Sequence, residues 1–175
     1  ALLPTIVSRC EVLRLRPLRI EDVEKSLESR GVESNLARTI AHVSGGRPGY
    51  ANRLLDNKSL LEFRSTRLDD LQKLLSASRV DKFSYAEKLA KEKDVMRQTF
   101  LLWLSLWRDV LLRAAKSDSP IANVDRAEWI ESLAGGLSVA EARKVVTGIE
   151  SALRRMERNV NARLLVEVLL LDLPK

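Results

Sequence analysis

From about residue 20 to its end, this sequence repeats apolar residues at steps of three and four. This period limits the possible folds more than any other feature. The clearest run is Met96, Phe100, Trp103, Trp107 and Leu111. Such spacing places the side chains on one face of an α-helix, where they form a buried stripe. Because the pattern recurs after each break in the chain, the sequence predicts an all-α protein.

Start and stop signals divide this pattern into segments. The predicted helices cover about 20–30, 34–43, a stretch from Pro48, one opened by Ser59-x-x-Glu62, one opened by Ser84-x-x-Glu87, about 94–116, about 125–134 (ending at Gly135-Gly136), one opened by Ser138-x-x-Glu141, and one capped by Asn161. The first three are short and predict a three-helix bundle at 17–57. The others predict a larger helical bundle at 58–175. Before Pro17, the alternation of Val12, Leu13 and Leu15 predicts a short edge strand.

Composition narrows the functional classes. The 175 residues are 45% hydrophobic and 31% charged, as in an ordinary globular protein. The single cysteine rules out a disulfide framework and a multi-cysteine zinc site within this chain, and it fits a cytoplasmic protein. The longest apolar stretch, 100–104, is far too short to span a membrane. A net charge of +6 permits contact with nucleic acid, although the basic residues are dispersed.

Residues that commonly carry chemistry have structural interpretations here. Cys10 has no nearby base and is expected to be a small buried residue beside a turn. His42 lies between apolar residues of a predicted helix and is expected to be structural. Trp103 and Trp107 could stack on bases, but their place in an apolar stripe favours the core. No catalytic site and no metal site is predicted.

Ser8-Arg9-Cys10 follows Leu3-Pro4-Thr5-Ile6 near the start of the chain. This stretch resembles the Ser-Arg-Cys motif of replication clamp-loader subunits in the AAA+ ATPase superfamily. The resemblance implies that Arg9 acts in trans as an arginine finger on the nucleotide of a neighbouring subunit. A guanidinium suits that role because it stays charged and stabilises the charge that develops on a transferring phosphoryl group. The chain begins at Ala1, within this motif, so it is expected to be the C-terminal piece of a longer protein.

A second stretch, Ser44 to Ala51, resembles the start of the sensor-2 helix in the AAA+ lid. ATP-binding clamp-loader subunits usually place an arginine there that contacts the nucleotide. In this sequence that position falls on Gly49, or on Pro48 if the register slips by one. The departure implies a subunit that does not bind ATP productively, with Arg47 as a weak candidate for contact with the nucleotide.

The third stretch, 159–170, resembles the Asn-x-Arg-Leu-x-x-Glu helix at the C-terminus of bacterial clamp-loader subunits, whose C-terminal domains form a collar. Its last turns are apolar nearly all round, so the helix is either central in the bundle or covered by a partner.

The resemblance runs through the whole chain. It implies the end of an AAA+ core at 1–16, a lid at 17–57 and a collar domain at 58–175. The expected partners are the gamma/tau and delta subunits, with the sliding clamp and primer-template DNA reached through the complex. ATP is expected as a cofactor only in that complex, and no membrane partner is expected. An ATP-hydrolysing gamma/tau-type subunit and a stand-alone helical DNA-binding protein remain as alternatives.

Overall fold

The computed structural model describes residues 5, 8–11, 16–158 and 160–174. Within this part, nine α-helices and one 3₁₀ turn are present and no strand occurs, which confirms the all-α prediction. The helices are α1 (Ile20–Glu28), α2 (Ser34–Ser44), α3 (Pro48–Asp56), α4 (Lys58–Ser76), α5 (Arg79–Leu89), α6 (Lys93–Ala114), α7 (Ala127–Gly136), α8 (Val139–Met156) and α9 (Ala162–Leu171); the 3₁₀ turn is Val124–Arg126. The predicted strand at 12–15 lies outside the described residues.

Helices α1–α3 form a three-helix unit around their own small core. Its fully or nearly fully buried side chains are Val23, Leu27, Ala37, Ile40, Ala41, Ala51 and Leu54. They recur at helical spacing on all three helices, so each helix turns one apolar face inward. Small alanines at the crossing of α2 with its neighbours allow the short helices to approach closely.

Helices α4–α9 form a larger helical bundle around α6. Phe100, Trp103 and Trp107 are completely buried there, which confirms that the aromatic stripe belongs to the core. The indole of Trp103 donates a hydrogen bond of 2.9 Å to the carbonyl of Arg67, so its polar atom is satisfied inside the bundle. Helix α4 joins the two cores, because Leu60 and Leu61 pack on the three-helix unit and Leu68 and Leu71 on the bundle.

The capping predictions had mixed outcomes. The capping box of Ser138 and Glu141 is present, and Asn161 accepts a hydrogen bond from the amide of Leu164. The Ser59 and Ser84 predictions were wrong. Asn57 caps α4 by accepting from the amide of Ser59, and Ser78 caps α5, so Ser84 lies in mid-helix. A capping signature needs a chain that enters the helix at that point, and an interior Ser-x-x-Glu has the same spacing.

No helix in the described part of the chain is both long enough and apolar enough to cross a bilayer.

Candidate functional site

The predicted finger residue Arg9 lies in an exposed turn. Ser8 to Glu11 are all exposed, and the Ser8 hydroxyl donates to the Thr5 carbonyl at 3.2 Å. Arg9 makes no hydrogen bond or ion pair with another described residue. Cys10 is exposed in the same turn, so the prediction that it is buried was wrong. The apolar run before it predicted a packed element, whereas Ser8 to Glu11 are all exposed.

The turn between α2 and α3 is held tightly against the chain that enters α1. The amide of Leu18 donates to the Gly46 carbonyl at 2.8 Å. Gly46 has φ of +74°, and a Cβ at this position would collide with the Leu18 carbonyl oxygen. Glycine is therefore required at Gly46 both by its left-handed backbone and by the close approach of the chain.

Arg47 follows this turn as the residue that precedes α3. Its Nε donates to the Ser44 carbonyl at 2.7 Å, and its guanidinium lies 5.4 Å from the centre of the Tyr50 ring. These contacts engage the side chain locally. They leave part of an exposed guanidinium facing solvent at the mouth of a cleft of about 520 Å³ between the three-helix unit and the bundle.

The sensor-2 position is open. Pro48 and Gly49 form the exposed first turn of α3, and a Cβ at Gly49 would meet nothing within 4 Å. Steric crowding at the Cβ position therefore does not account for the glycine at this position.

His42 has a structural role, as predicted from its apolar neighbours in the sequence, but its bonding partner was not predicted. Its Nδ1 donates to the Ile121 carbonyl at 2.7 Å, across the junction between the three-helix unit and the loop that precedes the 3₁₀ turn. The prediction that His42 is structural agrees with this contact. Among the described residues no cluster of three or more potential metal ligands occurs.

Sequence reasoning missed a buried polar network at the same junction. Arg64, which is 5% exposed, donates to both carboxylate oxygens of Asp125 at 2.7 Å and to the side-chain oxygen of Asn123 at 2.8 Å. Asp109 in turn accepts from the amides of Ala122 and Asn123. Arg64 lies about sixty residues before Asn123 and Asp125 in the sequence, so no local spacing predicts that these side chains meet.

The polar residues of the third sequence stretch make defined contacts at α9. Asn161 caps the helix, and Arg163 pairs with Glu167 at 2.8 Å and with Glu87 of α5 at 3.4 Å. The hydrogen bond that Arg163 donates to Glu167 and the charge of Glu87 raise the pKa of Arg163. The Asn161 cap and the Arg163–Glu167 pair stabilise α9 itself, and the exposed Arg163–Glu87 pair links α9 to α5.

The outward side of α9 carries an apolar ridge that no other part of the described chain covers. We call Leu164, Val168 and Leu171 the α9 ridge; they are 55%, 44% and 44% exposed. They lie at steps of four and three, which places them in one row along the helix. The opposite side packs into the bundle through Val166 and Leu170. The helix is therefore peripheral, because one side packs into the bundle and the other side is exposed.

Comparisons with known proteins agree with this architecture. The family model described as DNA polymerase III, delta subunit, C terminal, matches residues 58–175, which cover α4–α9. The chain belongs to this family of clamp-loader C-terminal domains. Among curated proteins, DNA polymerase III subunit delta' of Bacillus subtilis (strain 168) is 26% identical over 176 residues. The match covers 98% of this chain and 53% of that relative, so the chain spans about half its length. Both matches confirm the resemblance to a delta-prime clamp-loader subunit.

Proposed function

We propose that this chain is the lid and collar part of a delta-prime-type clamp-loader subunit, with the lid at 17–57 and the collar at 58–175. The observation that carries the proposal is the α9 ridge, which exposes three large aliphatic side chains on a domain of this family. Leaving such side chains in water is unfavourable, at roughly 25 cal/mol per Å² of apolar surface. Association of collar domains would cover them and hold the complex together in the cytoplasm.

Assembly is the first activity to test. Light scattering after size-exclusion chromatography would measure complexes of this chain with purified gamma/tau and delta subunits. The substitution Val168→Asp places a charge in the ridge and should weaken the complex at least tenfold. Val80→Asp is the control, because Val80 is an aliphatic residue that is 76% exposed on α5 and does not belong to the α9 ridge. Equal binding by both variants would remove the ridge from the interface.

Arg9 is proposed to complete the ATP site of a neighbouring subunit. Its support is the Ser-Arg-Cys sequence together with the exposed guanidinium, which no described residue engages. In the full-length protein, Arg9→Ala should lower the DNA-stimulated ATPase of the assembled complex while assembly stays intact. Unchanged ATPase in an intact complex would refute this role.

The chain itself is proposed to make no productive ATP site. Pro48 and Gly49 supply no side-chain donor for a phosphate at the sensor-2 position, and Arg47 is engaged with Ser44 and Tyr50. Within the complex, the sliding clamp and primer-template DNA are the proposed further partners, and the reaction supported is loading of the clamp. A P-loop with its lysine in the preceding part of the full protein would favour a gamma/tau-type subunit instead.

Binding of DNA by the chain alone is the second candidate, and its net charge of +6 is the observation in its favour. Duplex affinity that falls steeply with salt would support it, since each neutralised phosphate releases counterions.

A further inference from the structure

Gly148 occupies an unexpected place for a glycine. It lies in the middle of α8 on the exposed surface, with φ in the ordinary negative range. A Cβ at this position would meet nothing within 4 Å, so the fold has room for any small side chain. Glycine inside a helix costs about 1 kcal/mol relative to alanine. Nothing within the described chain requires this cost, and the missing side chain leaves room for another molecule to approach α8 closely here.

A depression of about 270 Å³ opens beside Gly148, between α8 and α9. Its floor is apolar, from Val145, Leu169 and Leu173, while Lys144 and Asp172 lie at its edges. A cavity of about 150 Å³ holds a benzene-sized molecule, so this depression has room for one aromatic or branched aliphatic side chain. A partner helix that crosses α8 at Gly148 could place such a side chain there.

The depression adjoins the α9 ridge. Val168 and Leu171 of the ridge each precede a residue that lines the depression, namely Leu169 of α9 and its C-capping residue Asp172. Because successive residues of a helix lie about 100° apart around its axis, the ridge and the hollow lie on adjoining sides of α9. An interface core with this alternation of projection and recess excludes water well and resembles the packing of helices inside a domain.

The charges on α8 restrict the chemistry of the partner. Lys144 and Arg155 of α8, four residues before and seven after Gly148, are exposed on the same side of the helix, and neither forms an ion pair with a described residue. Arg154, by contrast, pairs with Glu150 at 4.0 Å. A surface with this excess of positive charge attracts an acidic partner. Two copies of the chain would oppose these basic side chains, which disfavours self-association through this face.

We propose that the face formed by Gly148, the depression and the α9 ridge binds a helix of another clamp-loader subunit. That helix carries one large apolar side chain for the depression and acidic residues on either side of it. This inference rests on the proposed function and specifies which surface makes the collar contact. Nucleic acid fits less well, because phosphates could engage the basic side chains but would leave the apolar floor and the aliphatic ridge uncovered.

The test fills the hollow without disturbing the fold. Gly148→Leu should lower the affinity of this chain for the gamma/tau and delta subunits at least tenfold, measured by titration calorimetry. Its urea unfolding midpoint should be no lower than that of the unaltered chain, because the new side chain lies in open space. Gly135→Leu is the matched control, since Gly135 is also helical, exposed and free of neighbours within 4 Å, but lies on α7. This control should bind as the unaltered chain does.

A charge reversal provides a second test in case Gly148→Leu is unstable. Lys144→Glu should weaken the complex and reduce its sensitivity to salt, whereas Arg97→Glu, at an exposed position on α6, should not. A complex that is insensitive to Gly148→Leu and Lys144→Glu would overturn this inference and leave the proposed function standing. The proposed function would fail if the unaltered chain formed no complex. A homodimer broken by Gly148→Leu, or duplex DNA binding broken by Lys144→Glu, would overturn the choice of partner.

Discussion

Replacement of Gly46 by alanine should destabilise the three-helix unit by about 2–3 kcal/mol. A left-handed backbone costs a residue with a Cβ about 1–2 kcal/mol. The new Cβ would also collide with the Leu18 carbonyl oxygen, which forces the two segments apart. That movement breaks the 2.8 Å hydrogen bond from the Leu18 amide, a loss of about 1 kcal/mol.

The neighbouring glycine is the control for this prediction. Gly45 also has a left-handed backbone, with φ of +59°, but a Cβ there would meet only an Arg47 nitrogen at 3.8 Å. Gly45→Ala should therefore cost only the backbone conformation, about 1–2 kcal/mol. The difference between the two variants isolates the close approach of Leu18.

Urea unfolding followed by two probes would show whether Gly46→Ala destabilises the three-helix unit alone. All three tryptophans, Trp103, Trp107 and Trp129, lie in the helical bundle. Tryptophan fluorescence therefore follows the bundle, whereas far-ultraviolet circular dichroism follows all helices. Gly46→Ala should shift the circular-dichroism transition to lower urea and leave the fluorescence transition nearly unchanged. Equal effects of Gly45→Ala and Gly46→Ala, or an equal shift of both probes, would refute the reasoning.

Other consequences concern the junction and the caps. Arg64→Ala should destabilise the protein by about 2–3 kcal/mol because it removes the hydrogen bonds to Asp125 and Asn123, while Arg126 stays 3.7 Å from the Asp125 carboxylate, and a double-mutant cycle with Asp125→Ala in urea should show strong coupling. Ser138→Ala should cost about 1 kcal/mol through loss of the α8 cap, measured by the same unfolding. Hydrogen bonds from Ser138 hold the pKa of Glu141 below its ordinary value of 4.5. The stabilisation by Glu141 is therefore complete above about pH 4.5 and is lost as the pH falls through its lowered pKa, so an unfolding series with Glu141→Gln should converge with the unaltered chain in acid.

Much of the architecture was predictable because it depends on neighbours in sequence. The apolar period around Phe100 and Trp107 predicted both the helix and its burial, since residues three and four apart share a face. The capping box at Ser138 was predictable for the same reason. The identical spacing at Ser84 failed, because only the path of the chain into a helix decides whether such a serine becomes a cap.

The sequence by itself determined the helices, the two cores and the clamp-loader motifs, which are local patterns of residue type. Only the tertiary structure decided what depends on segments far apart. It brought Arg64 to Asp125 and His42 to Ile121, and it left Cys10 in solvent. It also showed that α9 is peripheral and not central, and that Gly148 borders an open hollow. These properties follow from how the helices pack, because burial and approach distances are set by neighbours in space that no run of adjacent residues specifies.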